Sequence, residues 1–268
     1  MKRIFLLLNL IFSLPLFALY NGNPSQPDMP ELGLWISSDD WWGFKMGYQW
    51  DDTFEKRVKV EDPQTTASSI KTKDLFDKYQ AYKNFGVFTF NVIDRFEIYG
   101  ELGTMKATLS ARPLRTTRIQ FETDSYLAWG VGGRIVLLYW EEMIMGVSAL
   151  YNGSFLHLDR LIQNGTARRP KGARLSYHEW QVGVSFSREI GICIPYIGLA
   201  YASMRSCLKH LPSDPTFSFN LKDETLKNRE PFIFFLGIGL TNGRIFALNL
   251  ETRMVAEKAI SLSADLRF

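Results

Sequence analysis

Cysteine, histidine and long apolar runs are all scarce in these 268 residues, and each scarcity excludes a class of protein. Two cysteines, Cys193 and Cys207, allow one bridge at most, so this is no disulfide-stapled scaffold. Cys193 falls near the inner end of one expected strand and Cys207 just past its outer end, so about 3.3 Å per residue holds them far beyond the ~7 Å Cα separation of a disulfide. No bond between them is expected. The three histidines, His157, His178 and His210, are scattered, and no His/Cys/carboxylate cluster has metal spacing. Only His178 is a candidate base, and no serine shares a convincing site with it, so a nucleophile–base pair is missing and no catalysis is expected. Gly130-Val131-Gly132-Gly133 is no dinucleotide loop, because its glycines pave a strand with no helix after it. Like charges never run beyond three residues and the formal net charge is +3, so nothing resembles a nucleic-acid arm. No cofactor, metal or nucleic acid is expected.

What is present begins with Lys2 and Arg3, followed by an apolar stretch from Ile4 to Leu14, then Pro15 and the small residue Ala18. That is the layout of a secretory signal peptide, about half the ~20 residues a spanning helix needs. Cleavage after Ala18 is expected, with 1–18 as signal and 19–268 as one domain. No later stretch approaches the ~18 apolar residues of a helical span.

The rest alternates with period 2. At the C-terminus Ile260, Leu262, Ala264, Leu266 and Phe268 share one parity, and Ser261, Ser263, Asp265 and Arg267 share the other. Reading backwards, strands are expected at 244–254, 232–241, 191–204, 174–187, 142–152, 125–139, 95–107, 80–92, 54–61 and 42–50, with a weak one at 31–37. With the terminal strand the count is twelve. Turns at 51–53, 93–95, 140–141, 188–190 and 242–243 alternate with loops at 62–79, 108–124, 153–173 and 205–231. The fold class expected is all-β: a transmembrane antiparallel up-and-down β-barrel of about 12 strands, with short periplasmic turns and long external loops.

By parity Lys45, Arg57, Lys59, Arg134, Arg253 and Arg267 point inward, as do Asp51, Glu61, Glu97, Glu101, Glu179, Glu251 and Asp265. Most would pair across neighbouring strands, yet a wet, charged interior is what a diffusion channel needs. Gly130, Gly132, Gly183, Gly198 and Ala200 would leave space between them. Loop 205–231, about 27 residues long, has the reach to fold inside as a constriction. The function expected is passive diffusion of small hydrophilic solutes and ions. The competing class is a non-conducting adhesin or structural barrel, acting through loops 153–173 and 205–231.

Several stretches carry a more specific likeness. Tyr177-His178-Glu179-Trp180-Gln181, Pro195-Tyr196-Ile197-Gly198, Asp94-Arg95-Phe96 with Leu102-Gly103, Glu251-Thr252-Arg253 and Leu266-Arg267-Phe268 resemble, in order, strands of the chlamydial major outer membrane porin family. Asn21-Gly22-Asn23-Pro24 looks like that family's mature start, and Asp124 to Gly133 like its Ala-Trp strand. The family's archetype is cysteine-rich and carries longer variable loops, so this chain looks like a shorter, cysteine-poor member. The resemblance implies a porin of the bacterial outer membrane in contact with lipid. It also implies insertion by the barrel assembly machinery, with Phe268 as the assembly signal, a role the bare apolar end supports by itself. A trimer is the homo-oligomer it allows.

Overall fold

The structure, a computed structural model, describes residues 20–28, 41–61, 76–114, 117–170, 172–210, 224–242 and 245–268. Its strands are β1 (Trp42–Lys56), β2 (Val58–Val60), β3 (Phe76–Val92), β4 (Phe96–Leu114), β5 (Thr117–Thr123), β6 (Tyr126–Trp140) and β7 (Met143–Gln163). They continue with β8 (Thr166–Arg168), β9 (Arg174–Arg188), β10 (Cys193–Lys209), β11 (Glu224–Asn228), β12 (Phe232–Thr241), β13 (Phe246–Val255) and β14 (Glu257–Arg267). All belong to one 14-stranded antiparallel sheet.

Ten of these strands close a ring, in the order β1-β3-β4-β6-β7-β9-β10-β12-β13-β14. The seam is β1 on β14, in register from Lys45↔Arg267 through Trp50↔Leu262 to Lys56↔Glu257. Closure leaves no free edge in the ring, the condition for crossing a bilayer with strands. Around the ring Met46, Phe88, Ile98, Leu102, Leu127, Val131, Val182, Leu199, Leu250 and Leu262 stand exposed. Every second residue beside them is buried and mostly polar, so the membrane wall is apolar outward and polar inward. The ring is a membrane-spanning β-barrel.

The connections on the inner side are tight. Ile93 and Asp94 both have positive φ, 55° and 50°, as the central pair of a type I′ turn does, and the Arg95 N–H closes that turn on the Val92 carbonyl at 3.2 Å within a three-residue connection. On the outer side the sheet rises into a second tier. There β5 replaces β6 between β4 and β7, β11 pairs β10 where β12 has ended, and β2 pairs β11.

Ring strands therefore number ten rather than twelve, for two reasons. The weak strand at 31–37 lies outside the described residues. The expected turn at 51–53 does not exist: β1 stays paired with both neighbours through Asp51, Asp52 and Thr53. A bulge just after Thr53 then shifts the register by one residue. A one-residue slip exchanges the two faces of everything beyond it. Hence Val58 and Val60, not Arg57 and Lys59, face inward.

The external segments are also more ordered than loops. Within 108–124 and 153–173 run the end of β4, all of β5, the end of β7 and β8. Here the alternation inverts. Leu109, Ile119, Phe121, Leu156, Leu161, Leu175 and Leu208 pack inside the tier as one apolar core, while Arg112, Arg160 and Arg205 point to solvent. Water, not lipid, surrounds this tier, so its polar face turns outward.

Candidate functional site

Among the described residues, polar and charged side chains converge in the interior of the inner half of the ring. Residues 20–27 lie inside it: Tyr20 through Gln26 are all buried, and a 3-10 turn follows at Gln26–Asp28. The segment crosses the bore on hydrogen bonds. The backbone N–H groups of Asn21 and Gly22 both donate to the Glu251 carboxylate, at 2.9 and 3.0 Å, one to each oxygen. Gln26 donates its amide to Asp265 at 2.7 Å. Ser25 and Ser187 hydroxyls meet at 2.5 Å. Ser263 donates to the Tyr20 hydroxyl, which donates on to Gln26, both at 2.9 Å. Lys45 and Asn91 donate to the backbone carbonyls of Gln26 and Pro27, and Arg134 donates to that of Asn21 at 3.3 Å.

Charged groups beneath and above this segment are paired. Glu97 bridges Arg134 and Lys45, the latter at 3.4 Å. The Arg134 guanidinium also stacks over Tyr99, 4.4 Å from its centroid. Arg253 holds Asp51 at 2.5 Å and Glu251 at 3.2 Å, all three fully buried. Lys56 bridges Glu179 and Glu257, and Lys83 donates to the Tyr177 hydroxyl at 3.3 Å. Burying such charges unpaired costs several kcal/mol each, roughly, which is why nearly every one has an opposite partner.

Of the residues expected to face the interior, Lys45, Glu97, Glu101, Arg134, Glu179, Glu251, Arg253, Asp265 and Arg267 are buried in it. Arg57 and Lys59 are not. Arg57 is exposed at the outer rim, 3.7 Å from Glu230, and Lys59 lies opposite Lys227 in the upper tier. Glu61 belongs to that rim too, where the hydrogen bond from Lys227 holds its carboxyl below the usual range. Sequence reasoning missed residues 20–27, Lys56, Lys83 and Glu257. Lys83 had a signal, since it stands directly opposite Asp51 across β1 and β3. The small wall positions do not leave open space. A Cβ at Gly132 would meet Tyr99 at 2.4 Å, one at Gly198 would meet Phe235 at 2.3 Å, and one at Gly130 would meet Asn152 at 2.0 Å.

Loop 205–231 divides between structures: its first residues end β10, and Glu224–Asn228 is β11 in the wall. The stretch between them, 211–223, lies outside the described residues. At the inner rim Arg267 donates to Asp94 at 2.9 Å, joining the last strand to the β3–β4 turn. Cys193 and Cys207 are free thiols at opposite ends of β10. His178 sits on the lipid side with its Nδ1 2.9 Å from the Tyr151 hydroxyl, and the His157 ring lies tilted against Tyr126, centroids 4.9 Å apart. Among the described residues no three His, Cys, Asp or Glu side chains are grouped to hold a metal.

No family model matches the chain. A major outer membrane porin of Chlamydia pneumoniae is 22% identical, with 94% of each chain covered. The serovar F major outer membrane porin of Chlamydia trachomatis is 21% identical over 94% of this chain and 95% of its own. The Chlamydia abortus porin is 24% identical over 71% and 70%. The first alignment runs to 370 positions against a chain of 268, so the relative carries long insertions that this chain lacks. Similar solved structures include the Escherichia coli outer membrane protease OmpT, at 9% identity and TM-score 0.38 over 84% of this chain and 93% of that one. An outer membrane channel of Pseudomonas putida F1 gives 9%, 0.38, 87% and 100%. At those scores a protease and a channel are equally near and neither sets a function. The curated relatives are outer membrane porins, at low identity along nearly the whole chain.

Proposed function

We propose that this protein is a porin that passes small hydrophilic solutes and ions across the outer membrane by passive diffusion, with no cofactor and no chemical step. The observation that carries the reading is the belt of ionisable side chains inside the ring: Lys45, Glu97, Arg134, Glu251, Arg253 and Asp265. A barrel that only anchors loops has no need of so many charges where each must be paired. Ten strands make a bore narrower than twelve would, since diameter grows with strand number, so the solutes are small. In the same reading residues 1–18 are a signal peptide removed after Ala18, the assembly machinery reads Phe268, and the barrel assembles as a trimer. The porin names of the relatives support the reading.

A second reading has its own observation. The Tyr20–Pro27 segment and the apolar core of the outer tier both occupy the interior, as a non-conducting surface barrel would have it. Planar-bilayer recording separates the two. Discrete conductance steps, reduced by small sugars and unaffected by large ones, are expected. Folded protein without steps, with residues 20–28 both present and deleted, would hand the function to the surface-barrel reading.

A further inference from the structure

We infer that residues 20–28 are a displaceable inner seal of the bore: seated, they close it from the inner side, and withdrawn, they expose the charged belt. The inference rests on the porin reading for its use, and on the geometry for its existence.

The segment is fitted to the wall from every side. Its partners come from β1, β3, β6, β9, β13 and β14 (Lys45, Asn91, Arg134, Gln181, Glu251 and Asp265), so it spans the bore rather than lining one strand. The wall is cut to receive it. Gly146, Gly183 and Gly239 lie on three different strands, where a Cβ would come within 2.9 Å of Pro24, 2.7 Å of Asn21 and 2.5 Å of Asn23. Gly22 is fixed from the other direction: its φ of 84° favours glycine, and a Cβ there would fall 2.4 Å from Arg134 Nε.

The chemistry of the contact makes the seal reversible. In the outer tier the interior is filled by Leu109, Phe121, Leu156 and their neighbours, whose exposure to water is opposed by the hydrophobic effect. Against residues 20–27 the wall presents amides, hydroxyls and charges. Each such hydrogen bond exchanges for one to water when the segment leaves. Residues 20–28 belong to no strand, so leaving their seat breaks no ladder.

The test reads accessibility rather than current. Ser148 lies behind the segment, its hydroxyl 3.5 Å from Asn21 Oδ1. Ser148→Cys is placed in a Cys193→Ser, Cys207→Ser background, in the full chain and in a chain lacking residues 21–27. Folding is checked by heat-modifiable migration, and reaction with a small charged methanethiosulfonate is timed. Deletion is expected to speed the reaction about tenfold or more, as loss of local protection does. Gly22→Ala, which leaves every wall residue intact, is expected to speed it in the same direction and serves if the deletion fails to fold. Equal rates in folded full-length protein and in the folded variants would overturn the inference. Faster labelling without any conductance upholds the seal and rejects the porin reading, so the two failures are distinguishable.

Discussion

Phe268 donates its backbone N–H to the carbonyl of Phe44 at 2.8 Å, and the two rings lie 6.5 Å apart. The last residue is thereby part of the seam between β14 and β1, which closes the ring. Deleting Phe268 removes that bond and the ring contact at once, while the paired residues from Arg267 back to Glu257 stay. Outer-membrane assembly should fall severalfold, whereas loss of the Met254 side chain in β13 should be tolerated. The fraction of heat-modifiable, folded protein in isolated outer membranes checks it. Normal folding without Phe268 would rule out its role as the assembly signal.

Leu262 stands on the outer face of β14 and pairs across to Trp50 and Leu250. Arginine there would sit in hydrocarbon. The cost is expected at roughly 2–4 kcal/mol near mid-bilayer and less toward either interface. Lys106, in the upper tier, is exposed on the corresponding outward side, so Lys106→Leu should change stability little. Urea-dependent folding into liposomes measures both.

How far the sequence made this legible follows from what surrounds each tier. In the membrane wall the apolar rows face lipid, and rows such as Val182-Val184-Phe186 mark their strands at sight. In the outer tier the same period carries the opposite sense, so Leu156, Leu158 and Leu161 look like scattered loop residues until β5 and β9 are seen to close over them. The bulge after Thr53 is a backbone event with no residue signature, and together with the inverted sense of the outer tier it turns Arg57 and Lys59 outward. Residues 20–27 have no periodicity at all. Their place is set by Glu251, Asp265 and Ser187, far along the chain, which no local pattern can reveal.

Arg253 and Asp51 form a fully buried pair joined also through the Ser261 hydroxyl, which donates to Asp51 at 2.7 Å. By parity Arg253 is expected to line a wet, charged interior. Buried as it is, Arg253→Met should destabilise the barrel by about 3–5 kcal/mol, because Asp51 and Glu251 are left beside each other without their shared cation. Asp51→Asn in the same chain should recover part of that loss, since it removes one of the two orphaned charges. A double-mutant cycle on urea midpoints reads the coupling. Additive effects would show that the pair does not act as one unit.

Gly198 and Gly239 both face the interior, yet they hold back different things. A Cβ at Gly198 would meet the Phe235 ring at 2.3 Å and the Val184 carbonyl oxygen at 2.5 Å. That carbonyl is wall backbone and cannot swing aside. A Cβ at Gly239 would meet the Asn23 amide nitrogen at 2.5 Å and the Asn249 amide oxygen at 2.8 Å, both at the ends of flexible side chains. Gly198→Ala should therefore cost stability, about 1–3 kcal/mol as overpacking does. Gly239→Ala should leave the folding midpoint almost unchanged and loosen Asn23, raising the rate at which a thiol at position 148 is labelled. Measured together, midpoint and labelling rate should separate: the first moves for Gly198→Ala, the second for Gly239→Ala. If Gly239→Ala instead lowers the midpoint as much as Gly198→Ala and leaves labelling alone, the glycine serves the wall and not the segment seated against it.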